Sequence, residues 1–121
     1  MKYMLLVHHD EQVIKDLGES ELQKLRGESV QLANEIDASG KYLDAAPLQP
    51  ASTAACIRVR DGKRLITDGP FAETREQLGG YFLITAESFE EAIDIGGKIP
   101  GARIGTVEVR PVIELPGLPK K

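Results

Sequence analysis

Asp61-Gly62 constrains the fold of this chain more than any other pair of neighbours, because it sits between two runs of strand-forming residues. An Asp-Gly pair in that setting is the strongest short-range signal for a two-residue β-hairpin, whose central residues need left-handed backbone angles. The flanking strands are Ala54 to Arg60 and Lys63 to Asp68. Counting outward from the turn sets Arg60 against Lys63, Val59 against Arg64, Ile57 against Ile66 and Ala55 against Asp68. Asp68 therefore shares a face with Ile57 and Ile66. A carboxylate buried there without donors would be costly and its pKa would rise. The spacing thus predicts partners for it, either the backbone amides of the Gly69-Pro70-Phe71 turn or Arg75.

Lys2 to His8 is a short run, apolar on both faces, that reads as a first strand. Ser20 with Gln23 forms a capping-box start, and Leu22, Leu25, Leu32 and Ile36 recur at helical spacing until Gly40, which predicts a first helix despite Gly27. Lys41 to Leu48 reads as an extended segment broken by Pro47 and Pro50. Gly80 to Thr85 is a second doubly apolar strand. Ser88 with Glu91 caps a second helix carrying Phe89, Ala92, Ile93 and Gly96, ended by Pro100-Gly101. In the last strand Val107 and Val109 face one way while Thr106, Glu108 and Arg110 face the other.

This order predicts one α+β domain over residues 1–121, a ferredoxin-like sandwich with an added hairpin in which two helices cover one face of an antiparallel sheet. Two strands with apolar side chains in both directions leave the other face uncovered, and such a face usually marks an interface. A homodimer packing sheet against sheet, as in dimeric α+β barrels, is the expected solution, with a small organic ligand in the cleft between sheet and partner. The balance of 15 basic and 19 acidic side chains, net −4, lacks the basic footprint that nucleic acid attracts. No apolar run approaches the roughly 20 residues of a membrane span, and the opening segment is too short for a signal peptide. A lone cysteine, Cys56, has no partner for a disulfide or structural zinc, fits a reducing compartment and reads as a strand residue. A cytoplasmic protein without direct nucleic-acid or membrane contact follows as the expectation.

Asp68 to Ile84 is the segment dense enough to suggest a site, because Gly69-Pro70 holds the neighbouring polar groups rigidly. Asp68 reads either as a general base or substrate anchor, or as a turn residue capping its own backbone. Glu73 and Arg75, two residues apart, either clamp a polar ligand or form a surface ion pair worth about 0 to 1 kcal/mol. Strand alternation sends one of His8 and His9 toward the helices and the other toward the cleft expected between sheet and partner, and parity alone leaves open which. Phe71 reads as core, and Tyr81 as either core or pocket wall. Adjacent His8, His9 and Asp10 diverge along a strand and have no second cluster, so neither a metal nor another cofactor is expected. Ser52, Thr53 and Thr74 lack a nearby base, which argues against covalent catalysis.

Three stretches carry a resemblance: Met1-Lys2-Tyr3-Met4-Leu5-Leu6, Thr67-Asp68-Gly69-Pro70-Phe71-Ala72-Glu73-Thr74 with Glu76-Gln77-Leu78-Gly79-Gly80, and Val107-Glu108-Val109-Arg110-Pro111. With them the chain resembles, over nearly its whole length, the bacterial YCII-related family, in the subgroup known for its Asp-Gly-Pro-Phe motif. The resemblance implies a homodimeric, ferredoxin-like α+β barrel, and it implies no settled activity. Relatives in the wider family look like small enzymes using a His-Asp pair, among them a dehydrochlorinase acting on a chlorinated hydroxyquinol, with the histidine in the first helix. This chain has no histidine between Glu19 and Gly40, so His8 or His9 must supply any imidazole. The resemblance also implies a link to extracytoplasmic-function sigma factors.

Two functions are therefore expected as alternatives. One is a lyase- or isomerase-like enzyme, or a simple binder, with Asp68 and His8 or His9 as acid-base groups and Glu73, Arg75 and Tyr81 as substrate contacts. The other is a non-catalytic module that docks a sigma-factor partner.

Overall fold

The structure, a computed structural model, describes residues 1–119. Its main sheet has the strand order β2-β5-β1-β6, with β1 Lys2–His9, β2 Tyr42–Pro47, β5 Gln77–Thr85 and β6 Gly105–Pro111, all antiparallel to their neighbours. Two helices, α1 Glu11–Ala38 and α2 Phe89–Gly96, lie on one face. Period-two alternation divides β1 cleanly: Tyr3, Leu5 and Val7 are buried, while Met4, Leu6 and His8 are only half-buried on the opposite face. Phe82 and Ile84 join the buried set from β5, Leu32 and Ile36 from α1, and Ala92 from α2. The open face carries Tyr81 and Leu83 of β5 and Glu108 and Arg110 of β6. This is the α+β architecture expected from the order of elements.

Helix α1 begins well before Ser20. Asp10 is its N-cap, accepting from the Gln12 N–H at 2.9 Å, and Gly18 interrupts the helix with φ 82 and ψ 166. A glycine can hold that angle at little cost, so a first short helical segment runs into a second across a kink. The predicted stop is present: Gly40 takes φ 77, and the Lys41 N–H returns to the Ile36 carbonyl at 3.1 Å. Helix α2 has its Ser88 cap as expected, but it ends at Gly96, not at Pro100. Pro100 instead opens a short 3-10 turn, Pro100–Arg103, where its missing N–H is no handicap.

Strand β5 starts at Gln77, so the latter part of the motif is sheet. Val7 pairs with Gly80 and His8 with Leu78, which leaves Gly79 as the extra residue of a β-bulge.

The hairpin β3 Ala55–Arg60 and β4 Lys63–Asp68 has the register counted from Asp61-Gly62, with φ 52 and 74 at the two turn residues. Its setting differs from the expectation. The two strands form a separate sheet, every residue of β4 is exposed, and Ile57 and Ile66 remain 64% and 54% accessible. Asp68 therefore shares an apolar face that nothing covers. It is exposed, and among the described residues its carboxylate has no hydrogen-bond partner. Phe71, expected in the core, is 82% exposed. Alternation predicted the hairpin's faces correctly but could not show that neither face meets another layer.

Candidate functional site

A cleft of about 760 Å³ opens between α1 and the helix-covered face of the sheet. Its walls are largely apolar, with Leu22 and Leu25 from α1, Val7 and Phe82 from the sheet, and Ile99 and Ile104 from the segment after α2. The cleft exists because α1 buries only Leu32 and Ile36 near its C-terminal end, while Leu22 and Leu25 stand half-buried over the sheet. Lys15, Arg26 and Asp37 supply charges, and Glu11 lines the wall where β1 hands over to α1. The Glu11 carboxylate accepts from the Ala51 N–H at 2.7 Å, which ties the Ala51–Thr53 turn to the start of the helix.

His9 is the histidine that reaches this cleft. Its ring lies on the Gly79 backbone, where any β-carbon would collide with the imidazole, and a β-carbon at Gly105 would stand 3.1 Å from the His9 Cβ. Gly79 thus makes room for the ring, while Gly105 chiefly makes room for the β1 backbone, since the His8 carbonyl oxygen would meet its β-carbon first. The His9 Nδ1 is buried and has no hydrogen-bond partner among the described residues. Gly80, beside the bulge, packs equally closely: a β-carbon there would lie 3.0 Å from the Ala46 carbonyl oxygen. The Gly79-Gly80 pair of the motif therefore serves close approach, of an imidazole on one side and a neighbouring strand on the other.

His8 points to the opposite face, where its Nε2 stands 3.0 Å from Glu108 Oε1. Tyr81 projects from the open face, away from the cleft, where its hydroxyl donates to Asp44 Oδ2 at 2.8 Å, and that bond holds the phenol pKa above its ordinary value. The tyrosine is anchored at the sheet edge.

The remaining candidates do not converge. Arg75 reaches Asp10, Nε to Oδ2 at 3.7 Å, with its own side chain 91% exposed, a pairing worth about 0 to 1 kcal/mol. Glu73 is exposed, so no Glu73–Arg75 clamp forms. The motif loop is instead held by its own polar groups: the Thr74 hydroxyl donates to the Glu76 carbonyl at 2.6 Å, and the Gln77 amide donates to the carbonyls of Ala72 and Thr74 at 3.0 and 3.1 Å. Gly69, at φ 88, donates its N–H to the Ala54 carbonyl at 2.7 Å and accepts from the Cys56 thiol at 3.3 Å. Cys56 thus packs within its strand, as expected.

Among the described residues no three His, Cys, Asp or Glu side chains gather as metal ligands, and no helix is long and apolar enough to cross a membrane. Sequence reasoning missed Arg26 and Asp37. Their signal was present, since Arg26 lies one turn after Leu22 and Asp37 one turn after Ala33 on the cleft side of the helix.

The chain is 34% identical over 114 residues to an uncharacterised protein of Rhizobium meliloti (strain 1021), a match covering 93% of this chain and 92% of the relative. The model of the YCII-related domain matches residues 1–116. With so nearly complete a match, the chain belongs to the YCII-related family.

Proposed function

We propose that this protein, of the Asp-Gly-Pro-Phe subgroup, binds a small organic molecule in the cleft between α1 and the sheet, with an apolar body against Leu22, Leu25 and Phe82 and a polar end near His9. One observation carries the reading: the imidazole at the wall of an apolar cleft has a buried nitrogen without a partner. Leaving such a group unpaired costs about 1 to 3 kcal/mol, and native proteins rarely keep one without a use. Lys15, Arg26 and Asp37 offer charge to a ligand's far end. An imidazole so placed can take and return a proton, the chemistry of a lyase or isomerase. His9 replaces Asp68 as the acid-base group in this reading, because Asp68 stands on an exposed hairpin. The half-buried open face, with Met4, Leu6 and Leu83, supplies the contact for a cytoplasmic homodimer. The sigma-factor alternative draws on the resemblance alone.

A thermal-shift screen of small aromatic and aliphatic acids against wild type and His9→Leu tests the proposal. A ligand that raises the melting temperature of wild type and leaves the variant unmoved is the expected result. Ligands that shift both proteins equally would remove His9 from the reading.

A further inference from the structure

We infer, resting on the cleft reading proposed above, that Arg26 makes the cleft selective for an aliphatic carboxylic acid, whose carboxylate it holds at the rim. Helix α1 has three cations, Lys15, Lys24 and Arg26. Side chains three or four positions apart on a helix are neighbours, and opposite charges at that spacing stabilise each other. Lys15 has Glu11 at that spacing, and Lys24 has Glu21 and Glu28. Arg26 has Leu22, Gln23, Ser29 and Val30, with no carboxylate among them. Glu28, two positions on, is turned to another side of the helix and is already paired with Arg103 at 2.8 Å.

Arg26 is also the cation set among the apolar residues of the cleft. It lines the wall with Leu22, Leu25 and Val30, is exposed and so stands at the rim, and has no ion-pair partner among the described residues. The charges lining the cleft cancel in sum, Lys15 and Arg26 against Glu11 and Asp37, but they are not interspersed. The Glu11 carboxylate is bound to the Ala51 N–H, and Asp37 lies about 16 Å beyond Arg26 along the helix axis. The walls outside α1 contribute no carboxylate. An anion that arrives with an apolar body suits this setting best. Its body displaces water from Leu22 and Leu25, and the guanidinium then meets the carboxylate through two parallel hydrogen bonds where the charges are less screened.

Titration calorimetry of the full chain with decanoate and with decanol tests the assignment, since the two probes share a chain and differ in charge. Wild type should bind decanoate about tenfold more tightly, the ratio expected of one charge-assisted pair at a wet rim. Arg26→Gln should bring the two affinities together by weakening decanoate alone, its unchanged decanol affinity showing that the cleft is intact. Arg26→Lys should keep part of the preference. Lys24→Gln, which removes the same charge from a helix position outside the cleft, should keep all of it. Equal binding of the two probes by wild type, a preference that survives in Arg26→Gln, or the same loss in Lys24→Gln overturns the assignment and leaves an apolar ligand of the cleft standing. If wild type binds neither probe the assignment falls, and the thermal-shift comparison with His9→Leu decides the cleft reading separately.

Discussion

The imidazole of His9 rests on the backbone of Gly79, with the His9 Cδ2 only 2.8 Å from where a β-carbon on residue 79 would lie. No rotation of a methyl group avoids that contact, so Gly79→Ala must displace either the ring or the bulge. Overpacking of this kind costs about 1 to 3 kcal/mol. Urea unfolding should show that loss, and any ligand found in the screen should bind the variant more weakly because the ring has moved.

Gly27 presents the opposite situation. It lies within α1, is exposed, has no positive φ and would place a β-carbon in open space. Gly27→Ala should stabilise the protein by about 0.5 to 1 kcal/mol, chiefly through the unfolded chain's lost freedom, with cleft binding unchanged. A drop in the melting temperature would show that the helix needs flexibility there.

Acid sensitivity should trace in part to Glu91. Its carboxylate accepts the Glu87 N–H at 3.0 Å and meets Lys41 Nζ at 2.9 Å, and these hold its pKa below the usual carboxylate value, the backbone bond contributing most. A lowered folded-state pKa stabilises above the unfolded value and is lost as pH falls through the folded one. Urea midpoints measured from neutral pH downward should therefore fall less steeply below about pH 4.5 in Glu91→Gln than in wild type.

Asp68→Asn should change little. Asp68 is exposed and accepts no side-chain bond among the described residues, so the substitution should stay within about 0.5 kcal/mol of wild type and leave cleft binding intact. A ligand lost from Asp68→Asn with an unchanged melting temperature would return this residue to the site.

What the chain reveals of itself depends on the range of the forces involved. Asp61-Gly62 specified its hairpin register because the turn chemistry is local, and Val107 and Val109 specified their face because a period of two needs no distant partner. The start of α1 was hidden because the Asp10 cap is followed by a kink at Gly18, and a broken helix has no continuous stripe to read. Asp68 was misplaced for a different reason, since alternation assigns a face but says nothing of whether another layer lies against it, and Phe71 because an aromatic residue beside a turn reads as core wherever the turn lies. His9 could not be separated from His8 by parity alone. The packing of Tyr3, Leu5 and Val7 under the helices decided it.

The bulge at Gly79 separates two reading frames within one strand. Above it Gly80, Phe82 and Ile84 face inward on even numbers, and below it Gln77, opposite His9, takes the inward side on an odd one. Were Gly79 instead to pair with His8 in an unbulged ladder, Gln77 and the loop it ties would turn to the far side of the sheet. The protein would keep its core in phase and carry its signature motif out of phase with it.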